Sequence, residues 1–306
     1  MRLTWIAGLL LFVQPVNISE SLSLTNQGQT VAIVKHADIA LPLLESLGIP
    51  IMDVDKSNHF IEEIDRQVYQ RPVNSKIDKQ GNILPGQVGY KLHHQAIKEQ
   101  FYSFLFSSKA YKVEVPLLAI HPKVDSELLA EIRVKKIGEY RTYFNVNNKN
   151  RSKNISLTTE AINNYVLFPG EVFSFNQVVG KRTVDKGYLL ARVIVKGEFS
   201  EGIGGGICQV SSTLFNAIDN AGLQSIQRSS HTRNVPYVPS GRDATVSWDG
   251  PDFSFKNKYN QPILIRAITQ GGLVNIRIYS SEMINYETRK VPNASNQIFK
   301  EILVQM

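Results

Sequence analysis

A single cysteine among 306 residues is the scarcest feature of this sequence. One cysteine excludes an intramolecular disulfide. The second half of the chain contains this cysteine and only one histidine. Two such ligands fall short of the four that a typical zinc site has. The sequence therefore predicts neither a metal nor another cofactor. The lone thiol, Cys208, needs another role, and nucleophilic catalysis is one.

Long hydrophobic runs are also missing. The segment Trp5 to Val13 has nine apolar-rich residues, which is too short to span a bilayer, and it follows the positive charge of Arg2. This pattern predicts an export signal within residues 1–14, although residues 16–18 lack the small-x-small pattern of a cleavage site. An uncleaved anchor with N-terminal membrane association is the alternative. We expect an exported protein, either extracellular or at the outer face of the cytoplasmic membrane.

The chain has no Lys/Arg block, no zinc-finger spacing and no aromatic-rich RNA-binding stretch, so we expect no nucleic-acid partner. It nevertheless carries a net charge of +7 and has a pI near 9.3. This balance indicates an anionic setting, for which anionic lipid and anionic cell-wall polymers are the remaining classes. A mildly basic surface without a specific partner is the plainer alternative.

The length of the chain favours two domains, and its composition, 42% apolar and 20% charged, is that of a globular protein. We expect an α+β fold in four parts: a signal peptide or anchor over residues 1–26, an α+β module over 27–137, a second domain over 138–280 and a weakly patterned tail over 281–306. The polar residues 145–154 predict an exposed loop. The C-terminal half of the second domain is rich in predicted strands, beginning at residues 244–248.

A glycine loop followed by a helix surrounds the cysteine. Four glycines lie within residues 202–206, and Cys208 comes two positions later at the start of an apolar pattern with helical spacing. Free N–H groups at a helix start stabilise a thiolate and lower its pKa. Glycine N–H groups can also face a developing oxyanion, which makes Gly204, Gly205 and Gly206 candidate substrate-binding residues.

A buried structural cysteine is the alternative to catalysis, because free cysteine packs as a small hydrophobe. Helical phase argues against it, since Cys208 falls off the apolar face of its helix. Ser211 and Ser212 share this small polar face, where they could bind substrate or line the helix. Gln209, next to the nucleophile, could donate to an oxyanion.

A thiolate nucleophile needs a base, and His231 is the only histidine of the second domain. The chain is long enough between the two residues to return over the helix start. Asp243 is our candidate for orienting the imidazole, and a backbone carbonyl could serve equally well. Arg233 and Arg242 could bind a substrate carboxylate, or Asp243 could hold either arginine in a structural ion pair.

Residues 139–280 resemble the VanW family in the order and spacing of several blocks. The matching residues are Pro169 to Asn176, Val179-Gly180, Gly187-Tyr188, Gly204 to Leu214, His231, Tyr237 to Pro239 and Gly241 to Val246. The first domain is similar to the peptidoglycan-binding-type module that often precedes VanW domains, with weaker landmarks at Pro72 to Ser75, Gly86 and Gly89 to Leu92.

The resemblance implies a bacterial envelope protein that works on peptidoglycan, in a family named after glycopeptide-resistance clusters. Some VanW domains look like L,D-transpeptidases, in which a cysteine forms an acyl-enzyme with a stem peptide. Carried over, Cys208 is the nucleophile and His231 its base, with stem peptides or another anionic wall polymer as partner. A cysteine peptidase that uses water, and a non-catalytic wall-binding or glycopeptide-tolerance protein, stand as alternatives.

Overall fold

A computed structural model describes residues 21–41, 51–107, 110–195 and 198–295. The helices within these ranges are α1 His36–Ile39, α2 Val54–Val68, α3 His94–Leu105, α4 Ser126–Ile132, α5 Lys149–Ile162, α6 Phe175–Val179 and α7 Ile207–Asn220. The strands are β1 Ser21–Asn26, β2 Gln29–Lys35, β3 Lys76–Ile77, β4 Ile83–Leu84, β5 Gly89–Leu92, β6 Tyr111–Glu114, β7 Leu117–Ile120, β8 Lys135–Tyr143, β9 Tyr165–Leu167, β10 Val172–Ser174, β11 Leu190–Val195, β12 Glu198–Ile203, β13 Gln224–Gln227, β14 Ser254–Lys256, β15 Ile263–Gln270 and β16 Leu273–Ser280. The expected α+β class, with a strand-rich C-terminal half, is confirmed.

The chain divides into two compact units. The first comprises residues 1–74 and 86–123, and its described part contains the three-stranded sheet β2-β1-β6 and the β5-β7 pair. Helices α2 and α3 cover an apolar core in this unit, because each buries one face of helically spaced residues. The largest fully buried side chains there include Phe101 and Phe104.

The second unit comprises residues 75–85 and 124–306. Its centre is the antiparallel sheet β8-β16-β15-β9, in which Leu273 pairs with Tyr143 and Ile263 pairs with Leu167. Helix α7 packs against β8 and β16. The approach is so close that a Cβ at Gly138 of β8 would lie 2.6 Å from the Ala217 carbonyl oxygen, which only glycine allows. The unit also contains a smaller sheet, β10-β14-β13, the β11-β12 hairpin and the short β3-β4 pair.

The ends of the chain only partly coincide with the expected segments. Residues 1–20, with the predicted export signal, lie outside the described residues, whereas Ser21–Asn26 forms β1. Strand β8 crosses the expected boundary between residues 137 and 138. In the expected tail, Ile284 and Ala294 are buried in the core of the second unit, so the described part of the tail belongs to that unit. Within the described residues, no helix is both long and apolar enough to cross a membrane.

Two local predictions were wrong. Residues 145–154 are not an exposed loop, because α5 begins at Lys149 and Asn154 is fully buried. Residues 244–248 form no strand beyond a single bridge from Thr245 to Ser229. The Ala244 backbone bonds to side chains of α7 instead of to a neighbouring strand.

Candidate active site

Cys208 is the second residue of α7, directly after the glycine loop. The N-cap, Gly206, has a left-handed backbone with φ of 106°. A Cβ on it would lie 2.9 Å from Cγ of Arg151 and 3.0 Å from Cγ1 of Ile155, so conformation and space both require glycine. Among the described residues, no hydrogen bond is found for the backbone N–H of Cys208. This N–H is therefore available to stabilise negative charge at the helix start.

The glycine loop is held from behind by the buried side chain of Asn154. Its Nδ2 donates to the carbonyl oxygens of Gly205 at 3.0 Å and Leu189 at 2.9 Å, and its Oδ1 accepts from the Leu189 N–H at 2.8 Å. Helix α5 thus fixes both the loop and the entry to β11. Sequence reasoning did not assign Asn154 to the site, although its full burial marks it as part of the site's framework.

His231 and Asp243 form a short charged pair beside the thiol. Asp243 Oδ2 lies 2.6 Å from His231 Nδ1 and 2.6 Å from its backbone N–H, and both side chains are 7% exposed. With Nδ1 engaged by the carboxylate, Nε2 is the nitrogen left for the side-chain hydrogen bond between His231 and Cys208. The structure brings together the three predicted catalytic residues, in the order thiol, imidazole, carboxylate.

The pKa values of the thiol and the imidazole move in opposite directions. Burial raises the pKa of Cys208, but the hydrogen bond and charge of His231, together with hydrogen bonds to Val246 and Thr245, outweigh it, and the net pKa of the thiol is lowered. Burial lowers the pKa of His231, but the hydrogen bonds and charges of Cys208 and Asp243 outweigh it, and its net pKa is raised. Both shifts favour a thiolate–imidazolium pair.

Further contacts position the sulfur. Cys208 Sγ lies 3.5 Å from the carbonyl oxygen of Val246 and 3.7 Å from Thr245 Oγ1. The thiol is partly buried, so it combines a shielded environment with access for a substrate.

Ser211 and Ser212 hold the segment that carries Asp243. Ser211 Oγ donates to the carbonyl oxygen of Ala244 at 2.5 Å, and Ser212 Oγ accepts from the Ala244 N–H at 2.8 Å. Both serines are fully buried. The two serines were predicted to bind substrate or to line the helix. They hold the Ala244 backbone and so position the carboxylate of the neighbouring Asp243.

Gln209 is occupied within the protein. Its Oε1 accepts from Arg151 at 2.7 Å, and its Nε2 donates to Thr142 Oγ1 at 3.0 Å and to the carbonyl oxygen of Tyr143 at 2.9 Å. An amide nitrogen has two hydrogens, so none is left for the predicted contact with an oxyanion. Gln209 instead ties α7 to β8 and α5.

Of the two candidate arginines, Arg242 is turned away from the thiol. Arg242 donates to Asn216 Oδ1 and to Asp219 Oδ2, each at 2.7 Å. Asn216 is two helical turns beyond Cys208, so the Arg242 guanidinium is directed along the helix and away from the thiol. Asp219, and not Asp243, is its acidic partner. Arg233 is exposed, two residues after His231.

Tyr237 is a site residue that the sequence reasoning did not select. Burial and the charge of Cys208 raise the pKa of its hydroxyl well above the usual range, and a hydrogen bond with Ser212 opposes this shift. The hydroxyl is therefore protonated at neutral pH, next to the thiol and the serine. The sequence did contain one indication, because Tyr237 lies in one of the blocks that resemble the VanW family.

Arg182, within the basic loop after Gly180, is the second residue missed. Its guanidinium is buried and close enough to Cys208 and Asp252 for their charges to act on it.

Among the described residues, no group of three or more His, Cys, Asp or Glu side chains could hold a metal ion.

Comparison with known proteins places this site in a family. The model of the VanW family, described as VanW like protein, matches residues 150–279. Over 297 residues the chain is 57% identical to the uncharacterized protein YoaR of Bacillus subtilis (strain 168), and the match covers 97% of both proteins. The chain belongs to the VanW family.

The VanW region contains the whole cysteine site, from Asn154 to Val246. A second relative is the vancomycin B-type resistance protein VanW of Enterococcus faecalis (strain ATCC 700802 / V583), which is 32% identical over 114 residues, 36% of this chain and 42% of that protein. No solved structure matches the chain. The assignment of residues 27–137 to a peptidoglycan-binding-type module stays a prediction.

Proposed function

We propose that this VanW protein is a cysteine acyltransferase of the bacterial cell envelope that acts on peptidoglycan stem peptides. The observation that carries the proposal is the Cys208–His231–Asp243 arrangement at the start of α7. Membership of a family that includes a vancomycin-resistance protein supports a cell-wall role. The apolar segment after Arg2 and the net charge of +7 support export to an anionic wall.

In the first half-reaction, the Cys208 thiolate attacks the carbonyl carbon of the third stem residue. A carbon–sulfur bond forms, and the oxyanion develops near the free N–H of Cys208. The carbon–nitrogen bond to the terminal residue then breaks, and the imidazolium of His231 gives its proton to the leaving amine. Asp243 keeps Nε2 of the imidazole directed at the reacting atoms by holding Nδ1.

In the second half-reaction, an amine of another stem peptide attacks the thioester. His231 accepts the proton that the amine loses, a new amide bond forms and the thiolate is released. Water in place of the amine would give a shortened stem, so the two enzyme hypotheses differ only in the acceptor.

Intact-protein mass spectrometry tests the proposal. The protein is incubated with a stem tetrapeptide, alone and with a second stem that carries a free amine. We expect an adduct on Cys208 equal to the tripeptide acyl group, which the Cys208→Ala variant does not form. A cross-linked product shows transfer, and a free tripeptide shows hydrolysis. Unmodified protein with unchanged peptides would contradict acyl transfer and favour a wall-binding role.

A further inference from the structure

Arg182 is a buried arginine for which the described part of the chain supplies no hydrogen-bond partner. Its side chain belongs to a residue that is 9% exposed, and Nε, Nη1 and Nη2 are all buried and unpartnered among the described residues. A guanidinium carries five N–H donors and keeps its charge in proteins. Buried charges are normally paired, because desolvation without a partner is costly. The unpaired guanidinium therefore points to an anionic ligand.

The position of Arg182 connects it to the nucleophile. A Cβ added at Gly204 would lie 3.3 Å from the Cβ of Arg182, so the base of this side chain packs against the glycine loop four residues before Cys208. The guanidinium carbon lies 5.7 Å from the centre of the Phe175 ring. The negative charge of the Cys208 thiolate acts on the guanidinium. Arg182 thus borders the same helix start as the thiol.

The carboxylate whose charge acts on Arg182 is not its hydrogen-bond partner. Asp252 acts on Arg182 only through its charge. Asp252 Oδ2 accepts from Ser174 Oγ at 2.6 Å, while Oδ1 accepts from the N–H groups of Asn176 at 2.9 Å and Phe253 at 2.7 Å. The Asp252 carboxylate therefore already accepts three hydrogen bonds from its neighbours, and the N–H donors of Arg182 stay available for a ligand.

We propose that Arg182 binds the C-terminal carboxylate of the peptide acyl donor, on the residue that leaves when Cys208 attacks. The planar fork of arginine suits a carboxylate, to which it donates two parallel hydrogen bonds. Successive Cα atoms are about 3.8 Å apart, so this carboxylate lies one residue from the attacked carbonyl. The inference rests on the proposed acyl transfer and adds the side chain that recognises the terminal residue of the donor.

The burial of the guanidinium sets how the ligand enters. Its nitrogens are shielded from solvent, whereas Val184, Asp185 and Lys186, a few residues later, are exposed. Entry of a carboxylate therefore requires that some of the groups that shield these nitrogens move. Once inside, the ion pair lies in a medium of low dielectric, where charge–charge attraction is stronger than in water.

Equilibrium binding to the Cys208→Ala variant tests the inference without chemistry. The probes are a stem tetrapeptide acid and the same peptide with a C-terminal carboxamide, measured by calorimetry. We expect the acid to bind about 10- to 100-fold more tightly than the amide, as for a charge-assisted bidentate pair. Adding Arg182→Gln should remove this preference, and Arg182→Lys should retain only part of it.

Lys181→Gln is the matched control, because it removes one positive charge from an adjacent exposed residue. It should leave the acid-to-amide ratio unchanged. Equal affinities of acid and amide, no measurable binding of the acid, or a preference that survives Arg182→Gln would overturn the inference. A third peptide, in which a side-chain carboxylate is amidated and the C-terminal carboxylate is free, shows which carboxylate is bound. If only this peptide binds more weakly than the acid, the inference about the C-terminal carboxylate is also contradicted. The acid-to-amide ratio of the Cys208→Ala protein tests the inference even if an Arg182 variant does not fold.

The two proposals fail in different ways. If the acid binds through Arg182 but no adduct forms on Cys208 of the unaltered protein, only acyl transfer is contradicted. If acid and amide donors acylate Cys208 at equal rates, only the role of Arg182 is contradicted.

Discussion

The thiol of Cys208 lies among groups that shift its pKa in opposite directions. Burial alone would favour the neutral thiol, as expected for a structural cysteine. The hydrogen bond and charge of His231 act the other way, and Asp243 supports them by stabilising the imidazolium. A structural cysteine would need no such partners. The contacts of Cys208 therefore favour a nucleophile over a cysteine that only packs in the core.

Asp243→Asn tests how the carboxylate acts. The amide keeps the shape of the side chain but removes the charge that raises the pKa of His231, so that pKa should fall. The acylation rate should fall about 10²- to 10⁴-fold, the range typical of general acid–base catalysis. NMR titration of the imidazole and adduct formation measure the two effects. The control is Asp249→Asn, at an exposed residue; an unchanged imidazole pKa in Asp243→Asn would contradict the account.

Sequence alone selected Cys208 and His231 as candidates because these residue types are rare in the second domain. One cysteine and one histidine in the second domain left little choice, and helical phase excluded Cys208 from the apolar face. The same reasoning could not assign Gln209 or Arg242, whose partners come from distant segments. Arg182 was missed for the opposite reason, since an unsatisfied buried charge is visible only in three dimensions.

At the scale of elements, α5 was hidden by its own polarity. Its buried side carries Asn154, Thr158 and Thr159 as well as two isoleucines, so hydrophobic periodicity is weak. Asn164, whose φ of 64° lies in the left-handed region, separates α5 from β9. The large sheet was easier, because β15 and β16 are long branched-residue strands joined by a Gly-Gly turn.

Asn154→Ala tests the support that α5 gives to the glycine loop. The substitution leaves the carbonyl of Gly205 and the N–H of Leu189 without their partner, while the carbonyl oxygen of Leu189 keeps the bond from the Gly204 N–H. Unsatisfied buried groups cost about 1–3 kcal/mol each, so we expect a clear loss in the free energy of unfolding, measured with denaturant. Cys208 should also be alkylated more slowly, because the helix start that stabilises its thiolate shifts.

Asn150→Ala is the matched control, because this exposed side chain makes one hydrogen bond, to the Leu190 carbonyl oxygen. It should change the free energy of unfolding by less than about 1 kcal/mol. Equal losses in the Asn154 and Asn150 variants would contradict the role given to the buried amide.

On the scale of the whole molecule, charge acts on both partner choice and stability. The net charge of +7 supports the contact with an anionic wall polymer that is proposed above. Within the second unit, Glu139 of β8 joins Lys136 and Arg141 of its own strand to Arg277 of β16. Burial raises the pKa of Glu139, but these three partners outweigh it and lower the pKa to about 2.

Acid should therefore remove part of the stability. A carboxylate with a folded pKa of about 2 and an ordinary pKa of 4.5 contributes fully above pH 4.5. The contribution is lost as the pH falls from about 4.5 to about 2. Glu139→Gln should lower the free energy of unfolding at neutral pH and flatten its decline in this window. Glu160→Gln, at an exposed residue, should leave the decline intact; parallel declines in the parent and Glu139→Gln would contradict the assignment.

The pH dependence of Cys208 alkylation tests the central claim most directly. Rates of modification by iodoacetamide are measured across pH for the unaltered protein and for His231→Ala. The account predicts a thiol pKa below the free value of about 8.5, and a rise of that pKa when His231 is removed, since His231 is what lowers it. A thiol pKa at or above the free value, or one that His231→Ala leaves unchanged, would contradict the nucleophile and the function built on it.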